Sequence, residues 1–354
     1  MKAIAVNPLK KNSLRLIDVP EPDIGENEVL LKVLCVGIDG TDREISEGFY
    51  GKAPDGYDYL IIGHECLALV EEVGSKVKDF KRGDLVVPTV RRPCPERCIN
   101  CRNQESDMCL TGNYLEHGIH GLHGFASEFT VSDADYLVKI PEEIKDFAVL
   151  LEPLSIAEKA IYQSFKIQER MIWNPRRTAV LGIGPLGLLL VFILRLKGIE
   201  TYVLGRSPRE SLRANLANKV GAIYIDTRET SKSDIGNFDL VFEATGSVSF
   251  ALERLDLLNP NSVFCILGIY RELKECKDFG NLLTEIVLKN KLIFGSVNAN
   301  RRYFETGIDH MLDIKERWGN LLKELITREV KPENYAEALK KYPEDIKTVI
   351  RFNL

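Results

Sequence analysis

The chain has 354 residues, 45% of them hydrophobic and 28% charged, which is the composition of a globular protein of about two domains. Its 47 Lys and Arg residues and 52 Asp and Glu residues leave a net charge of −5, and this balance argues against a chain built mainly to bind nucleic acid or an anionic membrane. The longest apolar run, 188–194, is too short for a membrane span, and the first residues lack the apolar core of a signal peptide. We therefore expect a cytoplasmic protein with reduced cysteines and with no nucleic-acid or membrane partner.

The first part of the chain, to about residue 150, consists of short strand-like runs separated by turn residues. Examples run over 29–36, 67–73, 85–90 and 136–140. Polar and glycine-containing segments such as 74–75 and 81–84 lie between them and are typical of turns. This pattern predicts an all-β domain.

The pattern changes near Pro153. Residues 155–165 carry apolar side chains at a period close to 3.6 and predict a helix. Strand-like runs then alternate with helical ones, and the predicted strands are 178–181, 201–204, 222–225, 240–242, 263–267 and 292–294. Such alternation predicts a parallel sheet with helices on both faces. The end of the chain is rich in predicted helix and finishes in a strand-like run at 348–352.

A glycine-rich loop lies between the strand at 178–181 and a helix at 188–197. Gly182, Gly184 and Gly187 have the spacing Gly-x-Gly-x-x-Gly, which allows a tight turn, close approach of a pyrophosphate and close helix–strand packing. The free N–H groups at the helix N-terminus favour an anion there. We predict dinucleotide binding by Gly182, Ile183, Gly184, Pro185, Leu186 and Gly187.

The next predicted strand ends in a basic turn. NAD-binding folds usually carry an acidic residue here to accept from the ribose 2′-hydroxyl, but this chain has Gly205, Arg206, Ser207 and Arg209. Arginine side chains bind phosphate through charge-assisted hydrogen bonds. The turn therefore favours NADP, with NAD as the alternative cofactor, and a solvated basic loop is the competing interpretation.

Four cysteines cluster in a loop-like segment. Cys94, Cys98, Cys101 and Cys109 have the spacing C-x₃-C-x₂-C-x₇-C, and four neighbouring thiolates suit a tetrahedral structural zinc ion. A nucleic-acid-binding zinc knuckle is less favoured, because the local charge is mixed and no aromatic residues are interleaved. Four free surface thiols are the other alternative, and they would be open to oxidation.

Three shorter segments complete the pattern: 37–42, 63–65 and 152–154. Their order along the chain, together with the cysteine and glycine motifs, resembles the medium-chain, zinc-dependent alcohol dehydrogenase family over essentially the whole chain. Within this family, segments 36–44, 87–93, 116–120, 152–154 and 296–298 are most similar to the archaeal-type glucose 1-dehydrogenases. The resemblance implies an α/β fold: a GroES-like β-domain at 1–170 and 300–354, with a structural-zinc lobe at about 91–112, and a Rossmann domain, a doubly wound parallel sheet, at 171–299.

The resemblance also implies a catalytic zinc. Its ligands would be Asp39, His64, Glu65 and Glu152, and Asp42 would hold the His64 ring. Most of the family has a cysteine at the position of Asp39, so this oxygen-rich site is harder and other divalent ions would compete with zinc. In the competing interpretation the catalytic metal has been lost and these are ordinary polar residues.

The implied reaction is oxidation of an aldose at C1 to the lactone, with hydride transfer to NADP. Thr41 would begin the removal of the hydroxyl proton. The residues implied for sugar binding are Thr41, Glu116, Glu152 and Asn298, with Glu158 a weaker candidate. The resemblance adds Leu267, Gly268, Ile269, Ser296, Val297 and Asn298 to the cofactor-binding residues.

Several alternatives remain open at this point. The chain is either a glucose dehydrogenase or a relative acting on another sugar, a polyol or a simple alcohol, and a non-catalytic NADP- and zinc-binding protein is a more distant alternative. His117, His120 and His123 lie three residues apart and are interpreted as ordinary loop histidines rather than a second metal site. The family forms dimers and tetramers, so we expect a homodimer or a homotetramer.

Overall fold

The structure is a computed structural model, and it describes residues 1–270 and 279–352. The chain divides into two units. Unit 1 comprises Met1–Ser155, Asn298–Lys315 and Asn320–Leu354, and unit 2 comprises Ile156–Val297 and Glu316–Gly319. The parts of the predicted domains at 271–278 and 353–354 lie outside the described residues.

The first half of unit 1 is mostly strands. The strands are β1 (Lys2–Val6), β2 (Arg15–Asp18), β3 (Glu28–Ile38), β4 (Leu60–Ile61), β5 (Glu65–Val73), β6 (Leu85–Pro88), β7 (Arg91–Arg92), β8 (Leu115–His117), β9 (Gly121–Leu122), β10 (Phe129–Asp133) and β11 (Leu137–Lys139). Two short helices interrupt them, α1 (Gly40–Ser46) and α2 (Ile99–Arg102). Alternate residues of β3 are buried along most of its length, as expected for a strand with one face on a core. The predicted all-β character of this region is therefore confirmed.

The middle of the chain alternates strands with helices. The elements are α3 (Leu151–Gln168), β12 (Arg177–Leu181), α4 (Pro185–Leu196), β13 (Glu200–Gly205), α5 (Leu212–Lys219), β14 (Ile223–Asp226), α6 (Lys232–Ile235), β15 (Phe238–Glu243), α7 (Val248–Arg254), β16 (Leu258–Ile266), α8 (Phe279–Leu288) and β17 (Leu292–Gly295). The first boundary between the units falls inside α3, whereas the sequence analysis placed it at residue 170. A helix pattern gives no signal where a continuous helix passes from one unit to the next.

The six strands of unit 2 form one parallel sheet in the order β14-β13-β12-β15-β16-β17. This is the strand order of a Rossmann fold, in which ligands bind at the carboxyl ends of the strands where the order reverses. Here the order reverses between β12 and β15. Eight consecutive residues of α4, 187–194, are buried, and because they point in all directions around the helix, α4 is covered on every side over these two turns.

The chain then returns to unit 1 through α9 (Arg301–Trp318), β18 (Ile326–Val330), α10 (Tyr335–Leu339) and β19 (Lys347–Arg351). Strand β19 pairs antiparallel with β3 and parallel with β18. The main sheet of unit 1 thus has the order β11-β6-β5-β3-β19-β18, with β10 also paired to β3. Among the helices that the structure describes, none has both the length and the apolar character needed to cross a membrane.

Candidate active site

Asp39 caps helix α1. One of its oxygens, Oδ1, accepts from the backbone N–H of Asp42 at 3.1 Å, and Oδ2 of Asp42 accepts from the N–H of Asp39 at 3.1 Å. This reciprocal pair is a capping box, which fixes the start of the helix. Oδ2 of Asp39 accepts from the Thr41 hydroxyl at 3.1 Å. The helix N-terminus therefore determines where the second carboxylate oxygen of Asp39 lies.

His64 lies beside this cap, immediately before β5. Its Nε2 is 3.7 Å from Oδ2 of Asp39, and its Nδ1 is 3.8 Å from Oδ1 of the buried Asp42. Both distances exceed a hydrogen bond, and Oδ1 of Asp42 instead accepts from the N–H of Gly63. Burial alone would lower the pKa of His64, but the facing carboxylates of Asp39 and Asp42 raise this pKa well above its ordinary value.

Asp39, His64 and Glu65 offer donor atoms that all lie within 4.8 Å of one another. Small side-chain rotations would bring such a group to the roughly 2.0–2.2 Å bonds of a zinc ion. Within the described residues, Nδ1 of His64 is buried and has no hydrogen-bond partner. One imidazole with two carboxylates is a donor set that fits zinc and also harder divalent ions.

Glu152 lies in the first turn of α3 and is buried. It is outside the group of three donors, but Asp39, His64 and Glu65 are near enough to influence its titration. Burial, with the neighbouring carboxylates, raises the pKa of Glu152 to about 8. Glu158, the weaker sugar-binding candidate, lies farther along the same helix, is buried and belongs to unit 2.

Lys347 on β19 is a residue of this site that was not predicted from the sequence. Its Nζ donates to Oε1 of Glu65 at 2.5 Å, and the side chains of Lys347 and Glu65 are only 1% and 2% exposed. A Cβ on Gly37, which is paired with Glu65, would lie 2.0 Å from Oε2 of Glu65 and 3.0 Å from Cε of Lys347, so it would overlap the Glu65 side chain and crowd that of Lys347. A lysine at the start of an apolar strand gives no signal that it is buried, so only the fold reveals this ion pair.

The four cysteines lie together in unit 1. Their sulfur atoms are all within 4.8 Å of one another, and Sγ of Cys98 is 4.0 Å from Sγ of Cys109. Sulfur atoms bound at about 2.3 Å to one tetrahedral zinc ion lie about 3.8 Å apart. Backbone N–H groups of Leu110 and Cys101 lower the pKa of the Cys98 thiol to about 6, which favours the thiolate that binds metal. The cluster therefore fits a structural zinc ion.

The glycine loop of unit 2 follows β12. Gly182 has a φ of 103°, and a Cβ on Gly187 would lie 2.2 Å from the carbonyl oxygen of Gly182, so both positions require glycine. Gly184 is the N-cap of α4 and has open space where a Cβ would lie. Pro185 follows at the first helical position, and no side chain caps the helix. This N-terminus is open to a phosphate group.

The basic turn follows β13. The Arg206 guanidinium is exposed and lies 5.2 Å from the centre of the Phe250 ring, and the exposed Arg209 donates to Glu229 at 3.0 Å. The carbonyl of Ser207 accepts from the Tyr224 hydroxyl at 2.7 Å. The turn is thus anchored through its backbone, while its arginine heads remain at the surface.

The remaining predicted cofactor residues follow the next two strands of the sheet. Leu267 and Gly268, after β16, donate their N–H groups to the carbonyl of Glu243, and Ile269 is 55% exposed. Ser296, after β17, donates its N–H to the carbonyl of Ile266, and Val297 is 57% exposed. The loops after β12, β13, β16 and β17 therefore all lie at the carboxyl edge of the parallel sheet. Asn298 begins the return of the chain to unit 1.

Glu116 and Asn298, two predicted sugar-binding residues, are brought together although 182 residues separate them. Nδ2 of Asn298 donates to Oε1 of Glu116 at 3.3 Å, and both residues are buried. Oε1 also receives the buried Arg91 guanidinium, a partner that the sequence analysis did not identify. The only available signal was that Arg91 lies in one of the segments that carry the family resemblance.

The three neighbouring histidines do not form a metal cluster in the part of the chain that the structure describes. Nδ1 of His117 is 2.7 Å from the carbonyl of His123, and Nδ1 of His123 accepts from the N–H of Ile61. His120 is exposed. Burial lowers the pKa of His117 to about 3, so its ring stays neutral at neutral pH.

Comparison with known proteins identifies the family. Residues 145–352 match the family model "Glucose dehydrogenase C-terminus", and residues 25–142 match "Alcohol dehydrogenase GroES-like domain". Glucose 1-dehydrogenase 1 of Caldivirga maquilingensis is 48% identical over 100% of this chain and 99% of its own. Glucose 1-dehydrogenase of Methanocella arvoryzae is 46% identical over 99% of both chains.

A solved structure agrees over the full length. Glucose dehydrogenase of Haloferax mediterranei, in complex with NADP, Zn and gluconolactone, has a TM-score of 0.91 and 34% identity, and the match covers 100% of both chains. The predicted α/β fold, with a GroES-like domain and a Rossmann sheet, is confirmed by these matches. The chain belongs to the glucose 1-dehydrogenases of the zinc-dependent medium-chain dehydrogenase family.

Proposed function

We propose that this protein oxidises D-glucose at C1 to the lactone and transfers the hydride to NADP, with zinc at the cluster of Asp39, His64 and Glu65. The observation that carries this proposal is the convergence of these three donors in a chain that belongs to the glucose dehydrogenases. The Haloferax relative, with NADP, Zn and gluconolactone bound, supports the cofactor, the metal and the product.

The metal site assigns different tasks to its residues. When bound, zinc supplies Lewis acidity toward an oxygen of the substrate. His64 and Asp39 would hold the ion, with Glu65 and Glu152 as the neighbouring carboxylates that join or leave its ligand set. Asp39 is suited to this task because its Oδ1 is engaged in the cap of α1 while its Oδ2 faces Nε2 of His64.

Thr41 is the residue that we assign to the first proton transfer. Its hydroxyl donates to Oδ2 of Asp39 at 3.1 Å and also bonds to the side chain of Tyr50. Such a hydroxyl can accept the proton of the anomeric hydroxyl while its own proton moves to the Asp39 carboxylate, to which it already donates. Glu116, Asn298 and Glu152 are assigned to the other sugar hydroxyls, because a polyhydroxy substrate requires several fixed polar partners.

A substrate panel tests the proposed function. NADP and NAD reduction is measured with D-glucose, D-galactose, D-xylose, sorbitol and ethanol, and the lactone is identified in the product mixture. We expect the highest kcat/KM with D-glucose and NADP. Turnover of sorbitol or ethanol without turnover of any aldose would assign the chain to another substrate of the same family, and metal-replete enzyme that is inactive on every compound would refute a dehydrogenase.

Arg206 provides a test of cofactor selection. Arg206→Ala is expected to raise the KM for NADP about 10- to 100-fold, the range given by loss of a charge-assisted hydrogen bond, and to change the KM for NAD by less than about threefold. NAD lacks the 2′-phosphate, so only NADP loses a partner. Arg176→Ala is the control. Arg176 is exposed and lies just before β12, at the amino ends of the parallel strands, whereas Arg206 lies at their carboxyl ends. Equal effects on the two cofactors would argue against Arg206 as a phosphate partner.

We also propose a homodimer formed through the β17 edge of the Rossmann sheet, with a homotetramer as the larger alternative. Strand β17 is a sheet edge of sequence Leu-Ile-Phe-Gly, and an apolar edge strand invites pairing with another chain. On α8, Leu283, Val287 and Leu288 are 59%, 74% and 74% exposed, which is unusual for a helix facing only water.

Light scattering tests this surface. The double variant Val287→Asp, Leu288→Asp is expected to shift the molar mass from that of an oligomer to that of one 40.0 kDa chain, because two buried carboxylates would oppose association. Ile223→Asp, on the opposite edge strand β14 and 47% exposed in the wild type, should keep the wild-type mass. An unchanged mass in the double variant would place the interface elsewhere.

A cytoplasmic location is proposed on chemical grounds. The cysteines at 94, 98, 101 and 109 are free thiols, as zinc binding requires, and reducing compartments keep thiols in this state. Fractionation of the producing cells, with enzyme activity and zinc measured in each fraction, tests the location. Activity confined to an extracellular or envelope fraction would contradict it.

A further inference from the structure

The buried side chain of Arg91 places its guanidinium against the carboxylate of Glu116. It lies on β7, directly opposite Glu116 on the neighbouring strand β8. Its Nε donates to Oε1 of Glu116 at 3.0 Å and its Nη2 lies 2.9 Å from the same oxygen. The Arg91 and Glu116 side chains are 4% and 12% exposed, so water competes little for this contact.

Two further contacts prevent the Arg91 side chain from rotating. Nη1 donates to the backbone carbonyl of Asp107 at 3.2 Å, and the guanidinium lies 3.6 Å from the centre of the Tyr114 ring. Asp107 lies between Cys101 and Cys109 in the cysteine cluster segment, and its Oδ1 accepts from Asn300. The segment 94–109, which carries the four cysteines, therefore fixes the guanidinium of Arg91 through Nη1, while Nε and Nη2 contact Glu116.

The two carboxylate oxygens of Glu116 differ in their hydrogen-bond partners. Oε1 accepts from Arg91 and from Asn298, whereas Oε2 accepts from no donor among the described residues and is not one of their fully buried polar atoms. The amide of Asn298 also has one atom with a partner and one without. Its Nδ2 donates to Glu116, while its buried Oδ1 has no hydrogen-bond partner within the described residues. The amide orientation follows from the neighbouring carboxylate, which would repel Oδ1. Two acceptors on adjoining side chains thus lack donors.

We infer that Arg91 is a positioning residue for sugar recognition, which fixes Glu116 so that Oε2 and the neighbouring Oδ1 of Asn298 accept from two adjacent hydroxyl groups of the substrate. This inference rests on the proposed oxidation of a sugar. The buried Oδ1 of Asn298 has no partner in the described residues, which is costly, and a hydroxyl donor from the ligand removes that cost. Oε2 of Glu116 would exchange contact with water for a hydrogen bond from the neighbouring hydroxyl. A ligand that lacks one of the two hydroxyls leaves an acceptor unpaired, so the pair contributes specificity as well as affinity.

The test is a double-mutant cycle on KM for D-glucose. Lysine at position 91 keeps the charge but lacks the planar fork that reaches both Glu116 and the Asp107 carbonyl. We expect Arg91→Lys to raise the KM about 10- to 30-fold, the scale of a lost charge-assisted hydrogen bond, with less than a threefold change in kcat. The Kd for NADPH, measured by fluorescence, and the zinc content should stay at wild-type values.

The double variant of the cycle tests whether Arg91 acts through Glu116. If Arg91 acts through Glu116, the variant Arg91→Lys, Glu116→Gln should have the KM of Glu116→Gln alone within about twofold. Arg92→Lys is the matched control, because Arg92 is next on the same strand but donates to Thr89 and Ser132, and its KM should be unchanged. Among the single-deoxy analogues of D-glucose, at least two should bind the wild type more weakly than D-glucose does, and the dependence on one of these hydroxyls should be lost in Glu116→Gln and the dependence on the other in Asn298→Ala.

The possible failures are distinguishable. Wild-type enzyme without turnover of any sugar refutes the proposed function, and this inference with it. Wild-type turnover with an unchanged KM in Arg91→Lys, or with effects of Arg91→Lys and Glu116→Gln that multiply, overturns the inference alone. If Arg91→Lys does not fold, the uncharged pair Arg91→Gln, Glu116→Gln replaces it, and a KM equal to that of wild type in this pair would also overturn the inference.

Discussion

Replacing Lys347 with methionine is expected to destabilise the metal-free protein by about 3–5 kcal/mol, the cost of leaving one partner of a buried ion pair without the other. The Glu65 carboxylate would remain 2% exposed, with its cation removed and no water to replace it. The size of this effect follows from burial, because the same pair at a surface would contribute little. Urea unfolding in the presence of a chelator measures it without stabilisation from bound metal.

An exposed ion pair in the same unit provides the control. Lys340 donates to Glu337 with side-chain exposures of 58% and 45%, so Lys340→Met should leave the urea midpoint nearly unchanged. The double variant Glu65→Met, Lys347→Met removes both charges and should recover most of the stability lost in the single variant. If Lys347→Met is as stable as the wild type, the two side chains are not a buried pair.

Replacing His64 with alanine is expected to abolish most of the activity. His64 is the one imidazole in the cluster with Asp39 and Glu65, and nitrogen ligation distinguishes a zinc site from a general cation site. Loss of the ion removes several kcal/mol of charge stabilisation, so kcat/KM for D-glucose should fall on the order of 10³-fold or more. Zinc measured by mass spectrometry should fall from about two ions per chain to about one, since the cysteine cluster is untouched.

His120→Ala is the matched control for this variant. His120 is exposed and belongs to neither of the two donor clusters in the described residues, so its loss should change neither zinc content nor rate. Circular dichroism of both variants checks that the fold is retained. Retention of about two zinc ions and of wild-type kcat/KM in His64→Ala would place the catalytic metal at other residues.

Local motifs were the most predictable part of this molecule. The glycine loop and the four cysteines act over short stretches of chain, where spacing alone constrains the geometry, and the structure gathers each as the spacing indicates. The strands of unit 2 were also identified within a few residues, since a strand buried on both faces is a continuous apolar run. The family resemblance then directed attention to Asp39, His64 and Glu152, which spacing alone could not connect.

Long-range polar partners were not predictable. Glu65 and Lys347 are 282 residues apart, and charged residues are normally exposed, so neither residue type nor periodicity indicates that the two are buried together. Arg91 escaped notice for the same reason, since its partner lies on another strand. The cap of α1 is different: Asp39 and Asp42 are three residues apart, and this spacing is a recognisable helix start, so the cap could have been predicted from the sequence.

The pairing of β19 with β3 has a consequence for biosynthesis. Glu65 is made 282 residues before Lys347, and at about 5–20 residues per second the ribosome needs roughly 15 to 55 seconds to synthesise that interval. The whole of the sequence from Ile156 to Val297 is therefore available to fold while Glu65 still lacks its cation. During that interval the last residues of β3, 35–38, lack the partner that β19 later provides, and a misplaced strand can bind there. Formation of the buried pair between Glu65 and Lys347 is then one of the last events in the folding of unit 1.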